Sequence, residues 1–194
     1  MMDALDYAKI NAYLPYRPLL KCDFGEGELF KTHICTWLGV DLNPTRDIRF
    51  LVRSEGIITW VNSEQVHILL YPILSLPINR YREYGHSFNP LKRLFCLVFD
   101  REDICLKDIT TLTEKIGNVQ ILSAEYGSYS LQIEISKGEF RVIPLYKNGV
   151  YKVDYDKILS FLYRHSFDVG GLIEKGIALN VSLFRRQIRK LCIG

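Results

Sequence analysis

Asp47-Ile-Arg-Phe-Leu-Val-Arg53, Gly56-Ile-Ile-Thr-Trp-Val61 and Gln65-Val-His-Ile-Leu-Leu-Tyr71 decide the fold class. Each run is rich in β-branched and aromatic residues, which suit a pleated surface, and Ser-Glu-Gly and Asn-Ser-Glu supply turn chemistry between them. Three such runs in succession predict an antiparallel meander. Pro72 and Pro77 close it, because proline cannot donate to a ladder in a sheet interior.

Toward the N-terminus, residues 3–14 predict a short helix with Leu5, Ala8 and Ala12 on one side, stopped before Pro15 and Pro18. Residues 29–38 fit a short helix or a strand equally. Toward the C-terminus, residues 79–90 read as a surface loop and the unbroken apolar run Leu94-Phe-Cys-Leu-Val-Phe99 as a strand covered on both faces. Leu106, Ile109, Leu112 and Ile116 recur at helical spacing before Gly117, so a helix is expected there. Residues 119–122, 129–135, 140–145 and 150–153 complete the strands, with Lys-Gly and Lys-Asn-Gly as hairpin turns. Asp154 reads as the N-cap of a helix over 155–165 whose inward stripe is Ile158, Leu159 and Leu162. The fold expected is therefore α+β: a mixed, mainly antiparallel sheet with flanking helices over residues 1–153, and a helical C-terminal unit over 154–194.

The chain has 194 residues, is 48% hydrophobic and carries 12 Tyr and 10 Phe, which allows a sizeable core and excludes a disordered chain. Its first ten residues hold two acids and no basic stretch leading into an apolar one, so no secretory signal is read and a cytoplasmic protein is expected. The longest apolar run, 66–78, is interrupted by His67, Pro72 and Pro77 and is shorter than the ~20 residues of a spanning helix. Five cysteines at irregular spacing do not form a secreted disulfide framework. Few alanines beside many Ile, Leu, Tyr and Arg give the composition a thermophile-like cast.

The C-terminal stretch Val181-Ser-Leu-Phe-Arg-Arg-Gln-Ile-Arg-Lys-Leu-Cys-Ile-Gly194 concentrates charge. No acid follows Glu174, while Lys175, Arg185, Arg186, Arg189 and Lys190 are all basic, which more than accounts for the net charge of +3. Wound as a helix, Val181, Phe184, Ile188, Leu191 and Cys192 share one side and the four basic residues from Arg185 share the other. Entered through Gly-Ile-Ala-Leu-Asn-Val-Ser after two further helical segments, it resembles the second helix of a helix-turn-helix DNA reader. That resemblance implies Asn180, Ser182, Arg185, Arg186, Arg189 and Lys190 as the nucleic-acid contacts. The alternative is a partner protein that receives Phe184, Ile188 and Leu191 in a groove.

A third constellation is Leu97-Val-Phe-Asp-Arg-Glu-Asp103. An apolar strand ending in acids is a common way to present ligands to Mg²⁺. With the expected helix over 106–116 and Ser123-Ala-Glu-Tyr-Gly-Ser-Tyr-Ser-Leu131 behind it, the order resembles, in fragment, the catalytic core of archaeal and eukaryotic primases. The resemblance implies a degenerate nucleotidyl-transfer domain using Asp100, Glu102 or Asp103, and it lacks the histidine which that core places in the strand after the turn. Cys22, His33 and Cys35 supply only three metal ligands without structural-zinc spacing, so buried thiols are the better reading. No P-loop, dinucleotide-binding or nucleophile-elbow motif occurs, and no metal or cofactor is expected. The function expected is a non-enzymatic nucleic-acid-binding or replication/transcription accessory protein, with a protein-docking adaptor second and the primase-like domain third.

Overall fold

A computed structural model describes residues 4–16, 18–24, 31–42, 48–78, 81–83, 86–137, 139–147 and 149–184. The first elements are helix α1 (Ala4–Asn11) and strands β1 (Leu19–Phe24), β2 (Lys31–Leu42), β3 (Ile48–Ser54), β4 (Ile57–Asn62) and β5 (Val66–Leu70). There follow the strands β6 (Tyr81–Glu83) and β7 (His86–Phe88), helix α2 (Pro90–Val98), and strands β8 (Thr110–Ile116), β9 (Val119–Tyr126), β10 (Tyr129–Ser136), β11 (Glu139–Tyr146) and β12 (Gly149–Val150). Helix α3 (Tyr155–Arg164), strand β13 (Ala178–Asn180) and a 3₁₀ turn (Val181–Phe184) complete it. The chain is α+β, with two mostly antiparallel sheets and helices beside them. Among the described residues no helix is long and apolar enough to cross a membrane.

Contacts divide the chain into Met1–Tyr71 with Tyr163–Gly194, and Pro72–Leu162. The boundary at 162/163 falls within α3, so its last two residues group with the N-terminal half. The six-stranded sheet of the first unit has the order β13-β5-β1-β2-β3-β4. Only β3 and β4 pair as the expected meander does; β5 crosses to the other side and lies antiparallel to β1 and parallel to β13. Val66, Ile68, Leu69 and Leu70 are all buried, so β5 is apolar on both faces, as an interior strand must be.

One face of this sheet carries Leu20, Cys22, Cys35, Trp37, Phe50, Val52, Val61 and Ile68, packed with Ile10, Tyr13 and Leu172. Among the residues of the first helical segment whose burial is described, Ile10 and Tyr13 face inward and Ala8 is exposed. The Tyr13 hydroxyl donates to the Phe167 carbonyl at 2.7 Å and accepts from the Val169 N–H at 2.8 Å, which joins both ends of the unit. Buried Asp168 accepts from the N–H groups of Leu172 and Ile173 at 2.8 and 2.9 Å. The segment over 168–176 forms turns, so the helical segment expected ahead of the basic stretch is absent there, and residues 185–194 of that stretch lie outside the described residues.

The second unit contains a five-stranded meander in the order β12-β11-β10-β9-β8. Its hairpins match the expected turns, with Lys137 and Lys147 at φ 50° and 47°. Two expectations are reversed here. The apolar run lies in a helix through Val98, with Phe99 as its C-cap, since the Asn89 side chain accepts from the Lys92 N–H at 3.1 Å and Pro90 starts α2; Leu91, Leu94, Phe95 and Val98 form its buried stripe on β9. The 106–116 segment contains strand β8 instead of a helix: its threonines favour extended backbone, and Leu112 and Ile116 at helical spacing are exposed. The 79–90 segment holds the short β6–β7 hairpin and the start of α2. Asp154 caps α3 as expected, accepting from the Asp156 and Lys157 N–H groups, with Ile158 and Leu162 buried.

Candidate nucleic-acid interface

The second face of the six-stranded sheet follows from the register. Residues opposite one another on antiparallel strands point the same way and alternate along each strand. Leu19, Ile34 and Leu69 therefore face away from the Trp37 core. They form a second apolar cluster with Val181, Leu179, Tyr71 and Phe184. The chain runs through β13, turns at Asn180 and lays Val181 and Phe184 on this face. The Asn180 side chain accepts from the Ser182 N–H at 2.9 Å, so these two residues of the expected contact set shape the turn. Phe184 is half-buried against its own sheet, whereas Leu183 is 76% exposed. Arg185, Arg186, Ile188, Arg189, Lys190 and Leu191 lie outside the described residues.

At the other end of the same face β3 presents Arg49, Leu51 and Arg53 opposite Asn62, Trp60 and Ile58 of β4. Trp60 is 45% exposed and Ile58 52%. The Arg49 guanidinium lies over the Trp60 ring, 5.4 Å from its centroid, and pairs with Asp41 at 3.3 Å. Lys21 is held by Asp23 at 2.6 Å, while Arg53 forms no ion pair with a described residue. Sequence reasoning took this tryptophan and these arginines only as strand formers. Their alternation at Arg49, Leu51 and Arg53, matched by Trp60 two residues from Ile58, was the available signal for a polar, aromatic outer face.

His67, opposite Lys21 on this face, has a buried Nδ1 with no hydrogen-bond partner among the described residues. Burial first, and then the Lys21 charge, lower its pKa below the usual 6.5 and favour the neutral ring.

The acidic constellation is arranged differently from its expectation. Asp100 follows helix α2 at φ 50°, and its carboxylate meets Lys157 at 3.4 Å. Asp103 accepts two hydrogen bonds from Arg101, at 2.7 and 2.8 Å, which hold its carboxyl below the ordinary range. The order implied by the primase resemblance, strand then acids then helix, is here helix then acids then strand, and 123–131 lies in the β9–β10 hairpin. The adjoining cavity, lined by Asp100, Asp154 and Lys157 among others, is about 60 Å³, the room of a few waters. Among the described residues no three His, Cys, Asp or Glu side chains form a metal-holding group.

Cys22 and Cys35 are both buried, diagonal neighbours on the core face of β1 and β2. Their hydrogen bond, with burial, keeps the Cys22 thiol protonated well above its ordinary range. His33 is directed instead at Ser54 and Glu55, at 3.5 and 3.6 Å. Cys22, His33 and Cys35 are thus neighbours without a shared focus. No family model, curated protein or solved structure matches this chain.

Proposed function

We propose that the protein binds nucleic acid through Arg185, Arg186, Arg189 and Lys190, entered from the outer sheet face. The observation that carries this reading is the seating of Val181 and Phe184 on Leu19, Ile34, Leu69 and Leu179. An amphipathic segment whose first apolar residues are taken up by its own sheet leaves its basic side as the surface for a partner. Docking onto a protein groove through Phe184, Ile188 and Leu191 has less support, because Phe184 already has a place.

Four cations that neutralise phosphates release about four counterions, so the affinity for duplex DNA should fall with a log–log salt slope of roughly −3.6. Titration of a labelled duplex between low and moderate salt measures it. Replacing both Arg185 and Arg189 with Glu should abolish binding. Unchanged affinity in that variant overturns the reading.

A further inference from the structure

We infer that the β3–β4 end of the outer face is a stacking site for single-stranded nucleic acid, with Trp60 as the platform and Arg53 and Arg49 as the phosphate contacts. The inference rests on the nucleic-acid reading above and adds to it a second site, one that takes unpaired nucleotides. Four observations converge on one small patch. Trp60 is large, aromatic and 45% exposed on a sheet face, where a base can lie flat against it. The Arg49 guanidinium lies over the ring, 5.4 Å from its centroid, a cation–π contact that brings positive charge beside the exposed indole. Arg53 is diagonal to Trp60 on the neighbouring strand and has no acidic partner among the described residues. Arg49 and Arg53 are four residues apart on one strand, about 13 Å, so a backbone crossing the tryptophan passes both.

The charge arrangement selects the occupant. Arg49 is paired with half-exposed Asp41 across 3.3 Å, a surface bridge that a phosphate can displace at little cost. Ile58 extends the apolar strip beside Trp60, and every base has an apolar ring face to place there whatever its identity. A paired duplex keeps its bases stacked on one another and cannot offer that ring face, so the patch takes unpaired nucleotides. The same face carries Val181 and Phe184 at its far end.

The chain itself supplies the probe. It has two tryptophans, and Trp37 is fully buried, so a fluorescence change on ligand addition reports Trp60. Fluorescein-labelled dT20 and rU20 are titrated by anisotropy while tryptophan emission is followed, with a duplex of equal length as competitor. The expected result is quenching by both oligomers, weaker competition by the duplex, and affinity reduced ten-fold or more, roughly, in Trp60→Ala and Arg53→Glu. Trp60→Phe keeps a ring and should retain most of the affinity while removing the signal; circular dichroism confirms that each variant is folded. Preference for one sugar assigns the patch to DNA or to RNA within the same chemistry.

Oligomer binding without quenching, and with Trp60→Ala and Arg53→Glu at wild-type affinity, overturns this inference and leaves the C-terminal reading standing. Failure of every oligomer and duplex to bind overturns both. A concentration-dependent dimer in sedimentation that Ile58→Lys dissolves, with no quenching by oligomers, assigns the open edge of β4 to a second copy and also overturns it.

Discussion

In the five-stranded sheet every strand pairs with its neighbour in sequence, from β8 to β12, whereas in the six-stranded sheet β5 lies between β1 and a strand that follows α3. The first arrangement needs only tight turns. The second needs Tyr13, Asp168 and the Tyr71–Phe167 bridge to hold segments from both ends of the chain against each other. The difference teaches where each sheet is vulnerable: one at its hairpins, the other at its long-range clasp.

Three experiments can break or sharpen that contrast. The largest effect is expected for Asp168→Ala, which leaves two donors of the 168–176 turns without partners, at about 2–4 kcal/mol of stability. Hydrogen exchange should then quicken in β5 and β13 while β9 to β11 keep their protection; equal loss in both sheets would show that the contrast is false. A smaller effect is expected for Gly127→Ala at the β9–β10 turn. Its φ of 57° is left-handed, which costs a residue with Cβ about 1–2 kcal/mol, although nothing lies within 4 Å of the added atom. Urea denaturation measures it, and a neutral result would remove the hairpin as a weak point.

The smallest effect concerns pH. His67 has a lowered pKa when folded, so between that value and 6.5 the unfolded chain holds more protons than the folded one. Its contribution is complete above pH 6.5, declines as pH falls below it, and levels off beneath the folded pKa. His67→Gln should flatten stability over that window in urea titrations at several pH values. A wild-type profile that is already flat there would dismiss the buried ring as a source of acid sensitivity.

How far the sequence disclosed this molecule follows the same division. The β10–β12 hairpins and the Asp154 cap were legible because their determinants lie within a few residues: turn chemistry at Lys137 and Lys147, a carboxylate beside the first N–H groups of α3. Helix α2 was readable too, yet only if the window began at Asn89-Pro90; cut at Leu94, the stripe loses Leu91 and the two basic residues that mark its exposed side. The opposite error befell β8, where an apparent 3.6-residue period joined side chains that are not buried together. Neither the neighbours of β5 nor the seating of Phe184 could be read locally, since both depend on pairing between distant segments. The candidate interface suffered most. Trp60 is a strand former in any window, and its outward direction is set by the β3 register and by the buried partner of Val61, Phe50.

The placement of β13 beside β5 has a consequence for the order of events at the ribosome. Residues 72–162 emerge as an uninterrupted block of local hairpins and helices, able to collapse while synthesis continues. Strands β1 to β5 emerge earlier but must wait, because β5 gains its second neighbour only when β13 leaves the exit tunnel. During that interval the apolar surface of Leu69 and Leu70 is uncovered and open to mispairing or chaperone capture, so the first half of the chain to be made is the last to be finished.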